Sequence, residues 1–167
     1  MIGSNPDPSS ERALKRLEPF IGAWIEEVAM PGVPAGRMTF EWILGGRFLL
    51  QHSEIDDPAF PDSLCIIALD AAGDGFTQHY FDSRGVVRAY TMTVSDGVWT
   101  LLRDKPDFTP LSFSQRFVGR FSADGRVIYG AWERSDGGVE FQRDFEVSYT
   151  KVQRPASRRD DGEEQQR

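Results

Sequence analysis

Cysteine is all but missing from this chain of 167 residues: Cys65 stands alone, so no intrachain disulfide can form. A lone thiol fits a reducing compartment better than a disulfide-stapled secreted fold. Histidine is nearly as scarce, with only His52 and His79. No apolar run approaches the roughly 18 residues that cross a bilayer as a helix. The opening stretch, Met1-Ile2-Gly3-Ser4-Asn5-Pro6-Asp7-Pro8, has neither the basic cluster nor the apolar core of a secretory signal. Together these absences lead us to expect a cytoplasmic protein. Positive charge is also in deficit, with 19 Lys and Arg against 26 Asp and Glu, a net −7. The tail 153–167 balances its four Arg with two Asp and two Glu, so the deficit lies in the body of the chain. An acidic body repels phosphate backbones and anionic lipid, so neither nucleic acid nor a membrane is expected as a partner. The chain also lacks a Gly-x-Ser-x-Gly elbow, a phosphate loop, a dinucleotide fingerprint and a His-Glu-x-x-His helix. No catalytic residue, cofactor or metal is therefore assigned, although catalysis by scattered residues remains compatible with such a sequence.

What the chain does have is aromatic residues, 12 Phe and 4 Trp among them, which favour strands. Helix is expected once. Ser9 or Ser10 can cap it, Glu11 sits in its first turn, Leu14 and Leu17 share a face, and Pro19 stops it. From Phe20 onward the period is two. Met38, Phe40, Trp42 and Leu44 alternate with Arg37, Thr39, Glu41 and Ile43. The same holds for Phe113, Gln115, Phe117, Gly119 and Phe121, and for Phe141, Arg143, Phe145, Val147 and Tyr149. Such alternation describes strands with one covered and one wet face.

Gly45-Gly46, Gly73-Asp74-Gly75, Ser83-Arg84-Gly85, Ser95-Asp96-Gly97, Asp124-Gly125 and Asp136-Gly137-Gly138 cut these runs with tight-turn signals. About ten strands are predicted, over 22–30, 37–44, 47–54, 64–70, 76–82, 86–94, 98–104, 113–121, 126–134 and 140–151. Two proline-bearing connections, 55–63 and 105–112, interrupt the rhythm. Sequential hairpins imply an antiparallel meander, and closure removes its edges. The expected fold is thus all-β: an up-and-down barrel of about ten strands over 9–152, with a short N-terminal helix. A two-sheet sandwich is the alternative. Residues 1–8 and 153–167 are too polar to bury much surface and are expected to be disordered.

Phe20-Ile21-Gly22-Ala23-Trp24, just after the helix, resembles the Gly-x-Trp signature that opens the barrel of lipocalins and their calycin relatives. The resemblance covers roughly Leu17–Val152 and is nearest to small bacterial lipocalin-like proteins. It implies structural roles for Gly22 and Trp24, with Trp24 plugging the barrel floor beneath a basic residue, Arg143 or Lys151. Nitrobindins and fatty-acid-binding proteins share the ten-strand plan. Nitrobindin-like proteins hold haem through a late His, and residues 80–167 contain none. The Arg-x-Tyr pair of fatty-acid-binding proteins is replaced here by Arg143-Asp144-Phe145.

Several residues are candidates for ligand contact. Gln115 lies in a run of Phe and needs a partner if it points inward. Arg143, among Phe141, Phe145 and Tyr149, either closes the floor or meets an anionic ligand together with Gln115 and Tyr129. Trp42 and Trp132, with Tyr90, offer aromatic walls, and His79 and Arg116 complete the set. His52 and His79 lie on strands separated by a third, about 9.6 Å apart, which disfavours a shared metal. Cys65 heads a run that looks buried, and a reactive thiol would need a basic partner. The leading function is binding of an apolar or amphipathic small molecule in the barrel interior. A cyclase- or isomerase-type barrel enzyme using His79, Tyr90, Gln115 and Arg116 is the first alternative, and a pocketless interaction module the second. A homodimer is possible.

Overall fold

The computed structural model describes residues 8–153. The expected disorder of 1–7 and 154–167 falls outside them. Pro8 and Gln153 fall inside, and Pro8 opens helix α1, Pro8–Leu14. A 3₁₀ turn, Lys15–Phe20, continues it and carries Pro19 within, so the proline tightens the helical path before the chain turns into strand. Ten strands follow: β1 Gly22–Val28, β2 Gly36–Ile43, β3 Phe48–Ile55, β4 Ser63–Leu69, β5 Phe76–Asp82, β6 Val87–Ser95, β7 Val98–Arg103, β8 Ser114–Phe121, β9 Val127–Ser135 and β10 Gln142–Lys151. Each pairs antiparallel with its chain neighbours, and β1 pairs with β10, so the sheet closes into one barrel. The sandwich is excluded. None of the described helices is long and apolar enough to cross a membrane.

Antiparallel order sorts the connections to two ends. Residues 44–47, 70–75, 96–97 and 122–126 lie at the end where the helix sits. Residues 29–35, 56–62, 83–86, 104–113 and 136–141 lie at the other, which we call the mouth. The helix end is the floor, and it is packed solid. Leu17, Phe20, Trp24, Met38, Phe40, Phe76, Trp99 and Phe117 are at most 2% exposed. Phe20 stacks edge-on against Trp99 and Phe121 at 5.0 and 5.1 Å. Trp24 donates its Nε1 hydrogen to the Phe20 carbonyl at 2.7 Å, so burial leaves the indole satisfied. Gly22 enters β1 at φ +121°, a conformation open to glycine and costly for a residue with a Cβ.

The basic residue over the floor is Lys151. Its Nζ lies 4.9 Å from the Trp24 ring and donates to the Pro19 carbonyl at 3.0 Å. Arg143 does not take this place. The β9–β10 register shifts between Arg143 and Phe145, so the bulge at Asp144 breaks the alternation. Phe145, Val147 and Tyr149 belong to the inner face, while Arg143 is turned out beside Glu146.

Two glycines make room for one ring. Gly119 and Gly130 face each other across β8 and β9, and a Cβ on Gly119 would stand 2.8 Å from the Phe117 ring. A Cβ on Gly130 would overlap the same ring more severely, and Phe117 is fully buried, so the ring has little room to move aside. Gly130→Ala should therefore destabilise the protein by about 1–3 kcal/mol through overpacking, read as a lower urea midpoint at unchanged m-value.

Candidate functional site

The inner wall changes character toward the mouth. Glu26 follows Trp24 by two residues on β1; Gln51 and Ser53 follow Leu49 on β3; Gln78 and Tyr80 follow Phe76 on β5. Alternation places them on the same inner face as the floor residues that precede them. Cys65 on β4 sits between Gln51 and Tyr80, its cross-strand partners. On the far wall stand Arg88 and Tyr90 of β6, Arg103 of β7, Gln115 of β8 and Trp132 of β9. Glu26, Gln51, Ser53, Tyr80, Gln115 and Trp132 face inward yet remain partly exposed, so this half of the lumen is reached by solvent.

The polar groups are joined in part. The Ser53 hydroxyl donates to Glu26 Oε2 at 2.9 Å. The Tyr90 hydroxyl and Arg88 Nη1 both donate to Gln115 Oε1, at 2.8 and 3.1 Å. The Tyr80 hydroxyl donates to Asp82 Oδ2 at 2.9 Å, and Arg84 donates to the same oxygen. Among the described residues four buried side-chain atoms have no partner: the oxygens of Gln51 and Gln78 on this inner wall, Trp99 Nε1 in the floor and Ser135 Oγ at the end of β9. A buried acceptor without a donor costs about 1–3 kcal/mol, so such atoms call for an occupant or a role.

The mouth is partly crossed by residues 104–113. Asp107 forms a buried pair with Arg103, Oδ2 accepting from Nε at 2.7 Å, with side-chain exposures of 5% and 3%. The β6–β7 ladder ends at Thr91 and Leu102, which frees the Ala89 N–H to donate to Asp107 Oδ2 at 3.0 Å. Phe113 closes this flank beneath two guanidiniums, Arg134 at 4.1 Å and Arg88 at 5.6 Å from its ring.

Burial sets the ionisation of these groups. Desolvation raises the Glu26 carboxyl above its usual range despite hydrogen bonds from Ser53 and Tyr149. Burial, with the Glu26 charge nearby, pushes the Cys65 thiol up to about 12. Tyr90 and Tyr149 are raised by burial as well. At Asp82 burial acts upward, but hydrogen bonds from Arg84, Tyr80 and the Val86 amide outweigh it and hold the carboxyl down to about 2. Cys65 is thus a protonated small hydrophobe at neutral pH, which disfavours a thiolate nucleophile. Alkylation by iodoacetamide at pH 7 should be at least about a thousandfold slower in the native protein than in denaturant.

A raised carboxyl also fixes a sign. Glu26 favours the folded state most below the ordinary pKa of an unfolded glutamate, and that contribution is lost as pH rises through its higher folded value. The stability of Glu26→Gln relative to the natural protein should therefore grow more favourable from pH 4 to pH 8, as followed by denaturant midpoints. A difference that falls with pH would refute the raised carboxyl.

Three of the sequence candidates line this lumen, and a fourth, Trp42, lies at the floor end. Gln115, Tyr90 and Trp132 face inward near the mouth, Tyr90 and Trp132 with ring centroids 5.9 Å apart. Trp42 faces inward lower down, beside the helix and the 44–47 turn. The other four lie outside. His79 is exposed on the outer face of β5 against Phe108, because Gln78 and Tyr80 occupy the inner positions. Arg116 pairs with Glu133 on the outer surface and covers Phe141. Tyr129 is 64% exposed, because Ile128 and Trp132 are the inward residues of β9. Arg143 is turned out by the bulge. The imagined trio of Arg143, Gln115 and Tyr129 is therefore split by the barrel wall. Arg116, Tyr129 and Arg143 instead border an outer groove of about 760 Å³ over β8, β9, β10 and β1, with Glu27, Glu133 and Glu146. His52 is outside too, 3.4 Å from Glu54. Among the described residues no group of three or more His, Cys, Asp or Glu is placed to hold a metal.

No protein-family model matches the chain, and no curated protein does. Among solved structures it is similar to Rv2717c from M. tuberculosis, with 15% identity and a TM-score of 0.55 over 89% of this chain and 100% of that one. At that identity the likeness shows the barrel fold alone.

Proposed function

We propose that the protein binds a small molecule in the mouth half of its barrel. The observation that carries this reading is the pair of buried, unpartnered acceptors, Gln51 and Gln78, on an inner wall whose neighbours are reached by solvent. A barrel closed only for stability would gain from apolar residues at those positions. The calycin resemblance supports the same reading: a helix, Gly22 and Trp24 seal one end, a lysine covers the tryptophan, and the open end carries the polar groups. The lone buried Cys65 supports a reducing, cytoplasmic setting.

The experiment is saturable binding of amphipathic fluorescent probes to the purified protein. Ser53→Trp, which fills the lumen beside Glu26, should abolish binding while leaving the folded circular dichroism spectrum. Tyr129→Ala, on the outer groove, should leave binding unchanged. Loss with Tyr129→Ala and retention with Ser53→Trp would move the site to the outer surface and overturn the proposal.

A second reading, a barrel enzyme, rests on one observation. Glu26 is a raised carboxyl on the lumen wall with hydroxyls of Ser53 and Tyr149 beside it, the environment of a general acid or base. His79 and Arg116 play no part in that version, since both lie outside the barrel.

A further inference from the structure

We infer that the molecule held in the lumen carries a protonated amine, received by Glu26 with the side-chain oxygen of Gln51, two residues before Ser53 on β3, as a second acceptor. This rests on the lumen being the binding site and adds the chemical class of its occupant.

The inner wall near Glu26 offers acceptors and lacks a cation. Ser53 of β3, Cys65 of β4 and Tyr149 of β10 are the polar or titratable groups that face this carboxyl. Ser53 and Tyr149 donate hydrogen bonds, and neither brings positive charge. Among the described residues no Lys or Arg comes within ion-pair distance of Glu26. Gly36, its cross-strand neighbour on β2, adds no side chain, and the Ile55 side chain and the Glu54 carbonyl pack against it, so no cation enters from this side.

Three arginines of the mouth hold carboxylates of their own. Arg84 holds Asp82, Arg103 holds Asp107 and Arg134 holds Asp136. Arg88 is given to Gln115 and the Phe113 ring. It also sits on β6, five strands from β1 in either direction and hence on the opposite wall. An anionic head placed at Glu26 would meet like charge and orphaned acceptors. A neutral head would offer the buried carboxyl no counter-charge and leave it protonated. An ammonium supplies several donors and a charge at once, and hydrogen bonds to charged groups are the stronger kind. Tyr80, Tyr90, Trp132 and Tyr149, spread over the same inner surface, suit an organic cation through their ring faces.

The test compares three probes with one tail, n-octylamine, n-octanol and n-octanoate, by titration calorimetry on the purified protein. Octylamine should bind about tenfold or more tighter than octanol, with octanoate weakest. Its affinity should rise from pH 5 to pH 8, because the amine needs the ionised carboxyl. Glu26→Gln should bring octylamine down to the level of octanol and remove the pH dependence. Gln51→Leu, which keeps the charge and removes one acceptor, should cost octylamine a few-fold. Octanoate binding as tightly as octylamine, or an amine preference that survives Glu26→Gln in a folded variant, overturns the inference while leaving the lumen site standing. Failure of all three probes to bind overturns the lumen reading and the amine with it.

Discussion

Trp24→Ala should lower the stability of the protein by about 3–5 kcal/mol, the range for removing a large buried aromatic from a core that cannot collapse around the gap. Trp24 is fully buried, and four features depend on its ring or its place. Phe121 packs edge-on at 6.4 Å, Lys151 lies over the face, the indole hydrogen binds the Phe20 carbonyl, and β1 pairs with both β2 and β10 at this level. The loss therefore combines apolar transfer, a cavity at the barrel floor and an unsatisfied carbonyl. Trp24→Phe keeps most of the volume and forfeits the hydrogen bond, so it should cost clearly less. A denaturant titration showing equal losses for Ala and Phe would mean the floor is held by the helix rather than by the ring. Lys151→Met separates the cation from the packing, and its smaller effect should approach the ~0.5–2 kcal/mol of a partly buried cation–π contact.

Arg103→Met should cost about 3–5 kcal/mol, because it leaves Asp107 ionised and buried without a partner. The cost comes from the stranded charge. Replacing both members, Arg103→Met with Asp107→Leu, should recover part of it. It should not recover all, since Asp107 also accepts from the Ala89 and Thr109 amides and so ties residues 104–113 to β6. The same pair shapes the acid limb of stability. Hydrogen bonds from Arg103, then from the Ala89 and Thr109 amides, hold the Asp107 carboxyl well below the usual range. A depressed carboxyl contributes fully above the pKa of the unfolded residue, near 4. That contribution is lost as pH falls through the lower folded value. Arg103→Met should accordingly flatten the fall in stability below pH 4. Hydrogen exchange should show residues 104–113 opening in the variant while β3 and β4 stay protected.

The two predictions probe opposite ends of the barrel, and the sequence spoke unevenly about them. The floor was legible. Gly22 and Trp24 follow the N-terminal helix, turn signals separate runs of alternating residues, and each predicted strand overlaps the observed one to within two residues at either end; the expected Ser9 or Ser10 cap does not hold, since both serines lie inside α1. Local chemistry fixes such features, because Asp-Gly turns and period-two alternation act within a few residues of themselves. The mouth was not legible. Arg103 and Asp107 read as a strand end and a loop acid, and nothing in their spacing says that one lies beneath the other. Glu26 could have been found, since it stands two residues after Trp24 on the face assigned to the interior. So could Gln78 and Tyr80, two and four residues after Phe76.

By itself, then, the sequence determined how many strands there are, in what order they pair and which residue seals the floor. Only the tertiary structure decided which face of several strands is inside. On β5 it buries Gln78 and leaves Phe81 39% exposed, although aromatic residues stand on both faces of the strand. On β10 a single extra residue at Asp144 turns Arg143 from the lumen to the surface. The physical reason is that alternation defines two faces without labelling them. Closure of the barrel labels them, by fixing each strand against neighbours far away in the chain, and a bulge can exchange the labels partway along a strand.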